Sequence, residues 1–162
     1  MRRLARLRSA LALPSGPRAW AETALAALLL AAVAVPLGLA TGLFRYDPLP
    51  FSELALTALV ALFVPALGEE LVFRGLLIPG RDAAPQAVGA VALSTALFVL
   101  WHPLQTLWWN EAAAVFLRPD FLAIVALLGL LCALLRRRSG SIWPGVALHW
   151  AVVVGWKGWL AG

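Results

Sequence analysis

Long apolar runs alternate with short clusters of charge along the chain, and the runs show no period-2 alternation. Five stretches stand out: Trp20 to Phe44, Phe51 to Ile78, Ala84 to Trp101, Phe121 to Leu135 and Ile142 to Leu160. Each is near the roughly 20 residues that carry a helix across a bilayer, the fourth being the shortest and the second the longest. In hydrocarbon every backbone N–H and C=O must be paired within the segment, which continuous Ala/Leu/Val sequence achieves as helix. The absence of alternation argues against barrel strands. The pattern predicts an all-α, polytopic membrane bundle of about five transmembrane helices, with residues 1–162 forming one membrane-embedded domain.

Composition leads to the same place. The 162 residues are 62% hydrophobic and only 13% charged, with a mean hydropathy of +0.88. A soluble globule of this size cannot hide that much apolar surface from water. A lone Cys132 excludes an internal disulfide. The net charge of +5 and pI near 11 would suit nucleic acid, but the basic residues sit mostly at the ends of apolar runs, where they set topology instead. Arg2, Arg3, Arg6, Arg8, Arg18, Arg81, Arg136, Arg137 and Arg138 fall on one side, against Arg45, Arg118 and Lys157 on the other. This bias predicts a cytoplasmic N-terminus. A cleaved signal peptide is the rival, but the first apolar run exceeds the usual signal-peptide core.

Seven of the eight Trp residues (Trp20, Trp101, Trp108, Trp109, Trp143, Trp156 and Trp159) lie near predicted helix ends, as interfacial anchors do. Trp150 is the exception. Gly38 and Gly42 have the spacing that permits close helix approach, though one such pair is thin evidence for dimerisation.

The residues that composition does not explain are polar and intramembrane. The second run carries Gly68-Glu69-Glu70-Leu71-Val72-Phe73-Arg74-Gly75. Each charge there costs roughly 2.5 to 3.5 kcal/mol on insertion scales, so a purely structural role is expensive. Glu70 and Arg74 have favourable helical ion-pair spacing. Glu69 is left over, as a general base must be. The alternative is that all three snorkel to the interface. The two histidines, His102 and His149, lie in the third and fifth runs. At about 1.5 Å per residue, counting Glu69 and His102 from a turn near Asp82 and His149 from Gly140 on the same face, Glu69 and His149 come near one depth and His102 stands roughly 10 Å above, and the three can line one cavity provided Pro65 or Gly68 kinks the overlong second helix.

Glu69-Glu70-x-x-x-Arg74-Gly75, Phe98-x-x-x-His102 and His149 in the last helix resemble the three motifs of the CPBP family, the CAAX-prenyl-protease and bacteriocin-processing membrane proteases. The likeness spans about Leu67 to Trp156, marking residues 67–156 as a catalytic core. It implies an intramembrane endopeptidase in which Glu69 is the base that polarises water and His102 holds that water. It further implies that Glu70 and Arg74 brace the site and that His149 stabilises the oxyanion. The family's last motif usually continues with Asn or a similar polar residue four positions on, where this chain has Val153. Trp150 or Asn110 are the candidates to replace that donor.

Two histidines and a glutamate also suit Zn²⁺ with one open position. The chain has no HExxH helix, and the family is now viewed as glutamate-based, so the expectation is a reaction without metal or other cofactor. The resemblance implies a membrane-anchored protein substrate engaged through its C-terminal segment, with the lipid bilayer as partner and no nucleic acid. The Ala/Leu/Arg-rich composition points to a bacterial inner membrane and to a C-terminal sorting tag as substrate, as in short members associated with JDVT-type tags. CAAX-type processing of a lipidated protein is the alternative substrate. A non-catalytic immunity or assembly factor on the same fold is the alternative function, and a proton-coupled transporter is disfavoured by the lack of a repeated half.

Overall fold

The computed structural model describes residues 2–12, 14–80, 87–108 and 111–160. Among these, every regular element is helical. The expected positions Arg81, Asp82, Trp109 and Asn110 lie outside the described residues. Four helices are long and apolar enough to cross a membrane: Pro17–Ala40, Phe51–Leu76, Val88–Gln105 and Pro119–Ser139. The fifth expected span is a shorter helix, Trp143–Gly155, continued by a π-turn over Trp156–Leu160. Leucines along the spans, among them Leu25, Leu28, Leu56, Leu59 and Leu93, face outward, as a lipid-facing surface requires.

The chain begins with α1 (Arg2–Ala12), which the apolar-run pattern does not pick out because it is short and basic. It is followed by α2 (Pro17–Ala40), whose start is set by Pro17 at the first helical position. The second span is segmented: α3 (Phe51–Ala61), a π-turn (Leu62–Leu67), the short α4 (Gly68–Glu70) and a second π-turn (Leu71–Leu76). Val64 leaves helical geometry there, at φ −134° and ψ 110°, immediately before Pro65. Proline lacks the N–H that would close the ladder, so the kink falls where its ring makes it unavoidable. α5 (Ala87–Gln105) carries the second motif. α6 (Pro119–Ser139) is the central helix, half of its span being buried, and ends at Gly140 in left-handed geometry, which glycine adopts without steric cost. α7 is Trp143–Gly155.

The core packs Leu30, Phe73, Phe98, Phe121, Val125, Leu128, Cys132 and Leu148 from α2, the second span, α5, α6 and α7. Gly38 of α2 is covered by the ring of Phe44 from the same chain, and the Phe44 N–H donates to the Gly38 carbonyl at 2.9 Å. The small residue thus serves an internal turn. Orphan carbonyls at the end of the chain are met in a similarly local way. The N–H groups of Arg45, Asp47 and Leu49 donate to the carbonyls of Leu160, Trp159 and Gly158.

The basic triplet does more than set topology. Arg136 is fully buried and donates to the carbonyls of Gly140 and Ile78, Arg137 donates to Gly80 O at 2.7 Å, and Arg138 pairs with Glu22 at 2.8 Å. The ends of the second span and of α6 are tied together on the face where α1 sits. There α1 buries Ala10 against Ala66, Ile142 and Val146. The Ala10 carbonyl accepts the Ile142 N–H at 3.1 Å and the Leu11 carbonyl accepts the Trp143 indole N–H at 3.0 Å.

Candidate active site

Helical spacing puts Glu70 and Arg74 one turn apart, and packing then removes both from water: each side chain is 0% exposed, with Arg74 Nη1 at 3.0 Å from Glu70 Oε1. Snorkelling to the interface is therefore not their arrangement. A bare ion pair does not repay burial, so the remaining guanidinium surface needs partners. Arg74 Nη2 donates to the Gly129 carbonyl at 2.8 Å, and its Cζ lies 4.1 Å from the centroid of Phe98. Glycine at position 129 is what lets α6 come this close, since a Cβ there would stand 2.9 Å from the Phe98 ring and 3.3 Å from Arg74 Nη2.

Glu70 also faces α7. Its Oε1 is 3.4 Å from His149 Nδ1, and a Cβ on Gly145 would come within 2.7 Å of Oε2. The other imidazole nitrogen, Nε2, is 3.9 Å from Glu69 Oε2, beyond direct hydrogen-bond range. The ring of His149 is almost fully buried between the two carboxylates, in accord with the depth expected for Glu69 and His149.

Glu69 is the less enclosed acid, its side chain 13% exposed. Its Oε1 accepts the indole N–H of Trp101 at 2.9 Å, while Oε2 has no hydrogen-bond partner among the described residues. Trp101 is thus not a simple interfacial anchor. The sequence signal for this role is its place directly before the motif histidine His102. With Glu69 as the base that the sequence motif implies, Trp101→Phe, which keeps the ring and removes the donor, is expected to slow turnover roughly ten- to a hundredfold, because a hydrogen bond to a charged group is worth roughly 1.5 to 3 kcal/mol. Cleavage rate at matched protein level measures this. An unchanged rate would mean the indole does not tune the carboxylate.

His102 is buried, and its Nδ1 lies 2.9 Å from the Phe98 carbonyl. A carbonyl can only accept, so Nδ1 carries the proton and Nε2 is the basic nitrogen. Phe98 organises both imidazoles, meeting His102 and His149 edge-on at centroid distances of 4.9 and 5.6 Å. It is fully buried, and it joins Arg74, His102 and His149 through one ring. Among the described residues, His102 makes no ion pair with either glutamate.

Of the two candidates to replace the polar residue at Val153, the structure describes Trp150 alone. The Trp150 indole is committed to the Ala58 carbonyl at 2.8 Å, and Asn110 lies outside the described residues. Among the described residues, no three His, Cys, Asp or Glu side chains converge as a metal-ligand set.

A profile of one family, described as type II CAAX prenyl endopeptidase Rce1-like, matches residues 51–155, a segment that contains Glu69, Glu70, Arg74, His102 and His149. No curated protein and no solved structure matches the chain significantly.

Proposed function

The chain belongs to the Rce1-like family of type II CAAX prenyl endopeptidases, and from that premise we propose that it is an intramembrane endopeptidase which hydrolyses a peptide bond near the C-terminal membrane anchor or tag of a protein substrate. The observation that carries the reading is Glu69: a carboxylate inside a membrane span with one oxygen held by Trp101 and the other without a hydrogen-bond partner among the described residues, beside a histidine. In this mechanism Glu69 takes a proton from water while His102 Nε2 accepts the water's second hydrogen. The oxygen attacks the scissile carbonyl carbon. A proton on His149 Nε2 meets the developing oxyanion, and Glu69 returns its proton to the departing amide nitrogen as the C–N bond breaks. Glu70 and Arg74 hold the two helices in place and do not touch substrate.

The reaction uses no metal in this reading, and the N-terminus faces the cytoplasm of a bacterial inner membrane. The test is cleavage of a co-expressed protein ending in a short motif, an apolar helix and a basic tail, repeated with purified enzyme after thorough chelation and dialysis. Activity is expected to persist. Loss to a chelator with specific recovery on added Zn²⁺ would overturn the metal-free mechanism. Val153, apolar where a second oxyanion donor is expected, favours the alternative of a non-catalytic immunity or assembly factor. Absence of cleavage of tagged and of lipidated substrates alike would support it.

A further inference from the structure

The geometry points to α1 as an interfacial helix that docks on an anionic lipid surface while its other face is locked to the site-bearing helices. The inward side is well defined. Ala10 is fully buried against Ala66, Ile142 and Val146, and Leu7 packs at Gly75, where a Cβ would come within 2.6 Å of Leu7 Cδ1. Gly75 directly follows Arg74, and Ile142 and Val146 lie in the turns of α7 that lead to His149. The carbonyls of Ala10 and Leu11 take the N–H of Ile142 and the indole N–H of Trp143, so the C-terminal end of α1 is fastened to the start of α7.

The outward side has no protein cover. Leu4 is 64% exposed, Arg8 is exposed and Leu11 is 38% exposed, and these positions recur at the three- and four-residue spacing of one helix face. Residues 2–12 contain Arg2, Arg3, Arg6 and Arg8 and no acid. Among the described residues no carboxylate pairs with Arg6 or Arg8; the nearest acid in sequence, Glu22, is held by Arg18 and Arg138. A helix that presents leucines together with the unpaired Arg8 on one face, within an acid-free basic segment at the end where α2 enters the membrane, suits the boundary between acyl chains and headgroups. The charge is complementary to phosphatidylglycerol-type headgroups and screened by salt. This goes beyond topology: the same helix that meets the lipid also touches the segments carrying Arg74 and His149.

The test is spectroscopic and does not depend on the proteolytic reading. Leu4→Cys in the full chain is labelled with an environment-sensitive thiol probe, Cys132 being wholly buried, and reconstituted in lipid nanodiscs. Emission is expected to shift to the blue in phosphatidylglycerol-containing discs relative to pure phosphatidylcholine, and the shift is expected to disappear at high salt. Changing Arg2, Arg3, Arg6 and Arg8 together to Gln should abolish the shift, whereas changing them to Lys should keep it. The Lys set guards against loss of fold as the explanation. Equal emission in both lipids, or a shift that survives the Gln set, would overturn the proposal. So would a shift produced in phosphatidylcholine discs by a soluble acidic peptide but not by phosphatidylglycerol, which would assign the face to a protein partner.

Discussion

Glu69→Gln is expected to abolish proteolysis, a loss of roughly 10³-fold or more, without unfolding the bundle. The amide has the volume of the carboxyl group and its oxygen still accepts the Trp101 indole N–H, which in the native protein sits 2.9 Å from Oε1. What it lacks is basicity, so it cannot take the proton of the attacking water. The measurement is cleavage of a co-expressed tagged substrate at matched membrane level, with thermal unfolding in detergent to establish that the fold survives. Activity retained in a folded Glu69→Gln protein would remove this side chain from the chemistry, and with it the mechanism proposed above.

Arg74→Ala acts on stability first. It leaves the Glu70 carboxylate at 0% exposure with no cation, deprives the Gly129 carbonyl of its donor and removes the charge stacked on Phe98. Breaking one partner of a buried pair costs about 3 to 5 kcal/mol in soluble proteins, most of it the penalty for the charge left behind. Folded yield and unfolding temperature should both fall sharply. The double change Glu70→Gln with Arg74→Gln should recover part of the yield, because no unpaired charge then remains buried. Single and double variants that express alike would mean that the pair is not an energetic unit.

Much of this arrangement is legible in the chain itself, and the parts that are not have a common cause. Charges that are costly in lipid mark themselves, so Glu69, Glu70, Arg74, His102 and His149 stand out from an Ala/Leu background. The Glu70–Arg74 pairing follows from local helical spacing, and the meeting of Glu69 with His149 follows from counting residues from a turn. Partners chosen by tertiary packing leave no such trace. Trp101 at a helix end reads as an anchor, and nothing in its neighbours says that it turns toward Glu69. Gly129 and Gly145 look like ordinary small residues in apolar helices, although one admits the Arg74 guanidinium and the other the Glu70 carboxylate. Phe98 looks like core, yet it is the ring on which the cation and both imidazoles meet. The last apolar run has the length expected of a span, but its helix of 13 residues ends in a π-turn whose carbonyls are taken by residues 45–49. The helical state of residues 2–12 is invisible to a search for long apolar runs because the segment is short and basic.

The break at Val64 would ordinarily be read as a hinge, since a segment freed from the helical ladder has two limbs that can swing. Here α7 acts as a splint across it. Trp150 holds the limb before the break through the Ala58 carbonyl, and the adjacent His149 faces Glu69 and Glu70 on the limb after it. Neighbouring residues on a helix point about 100° apart, so α7 meets the bent span on two sides of the break with two adjacent side chains. The two limbs are thus bridged by adjacent residues of one helix, which sets the Glu69 limb beside α7 on the far side of the bend.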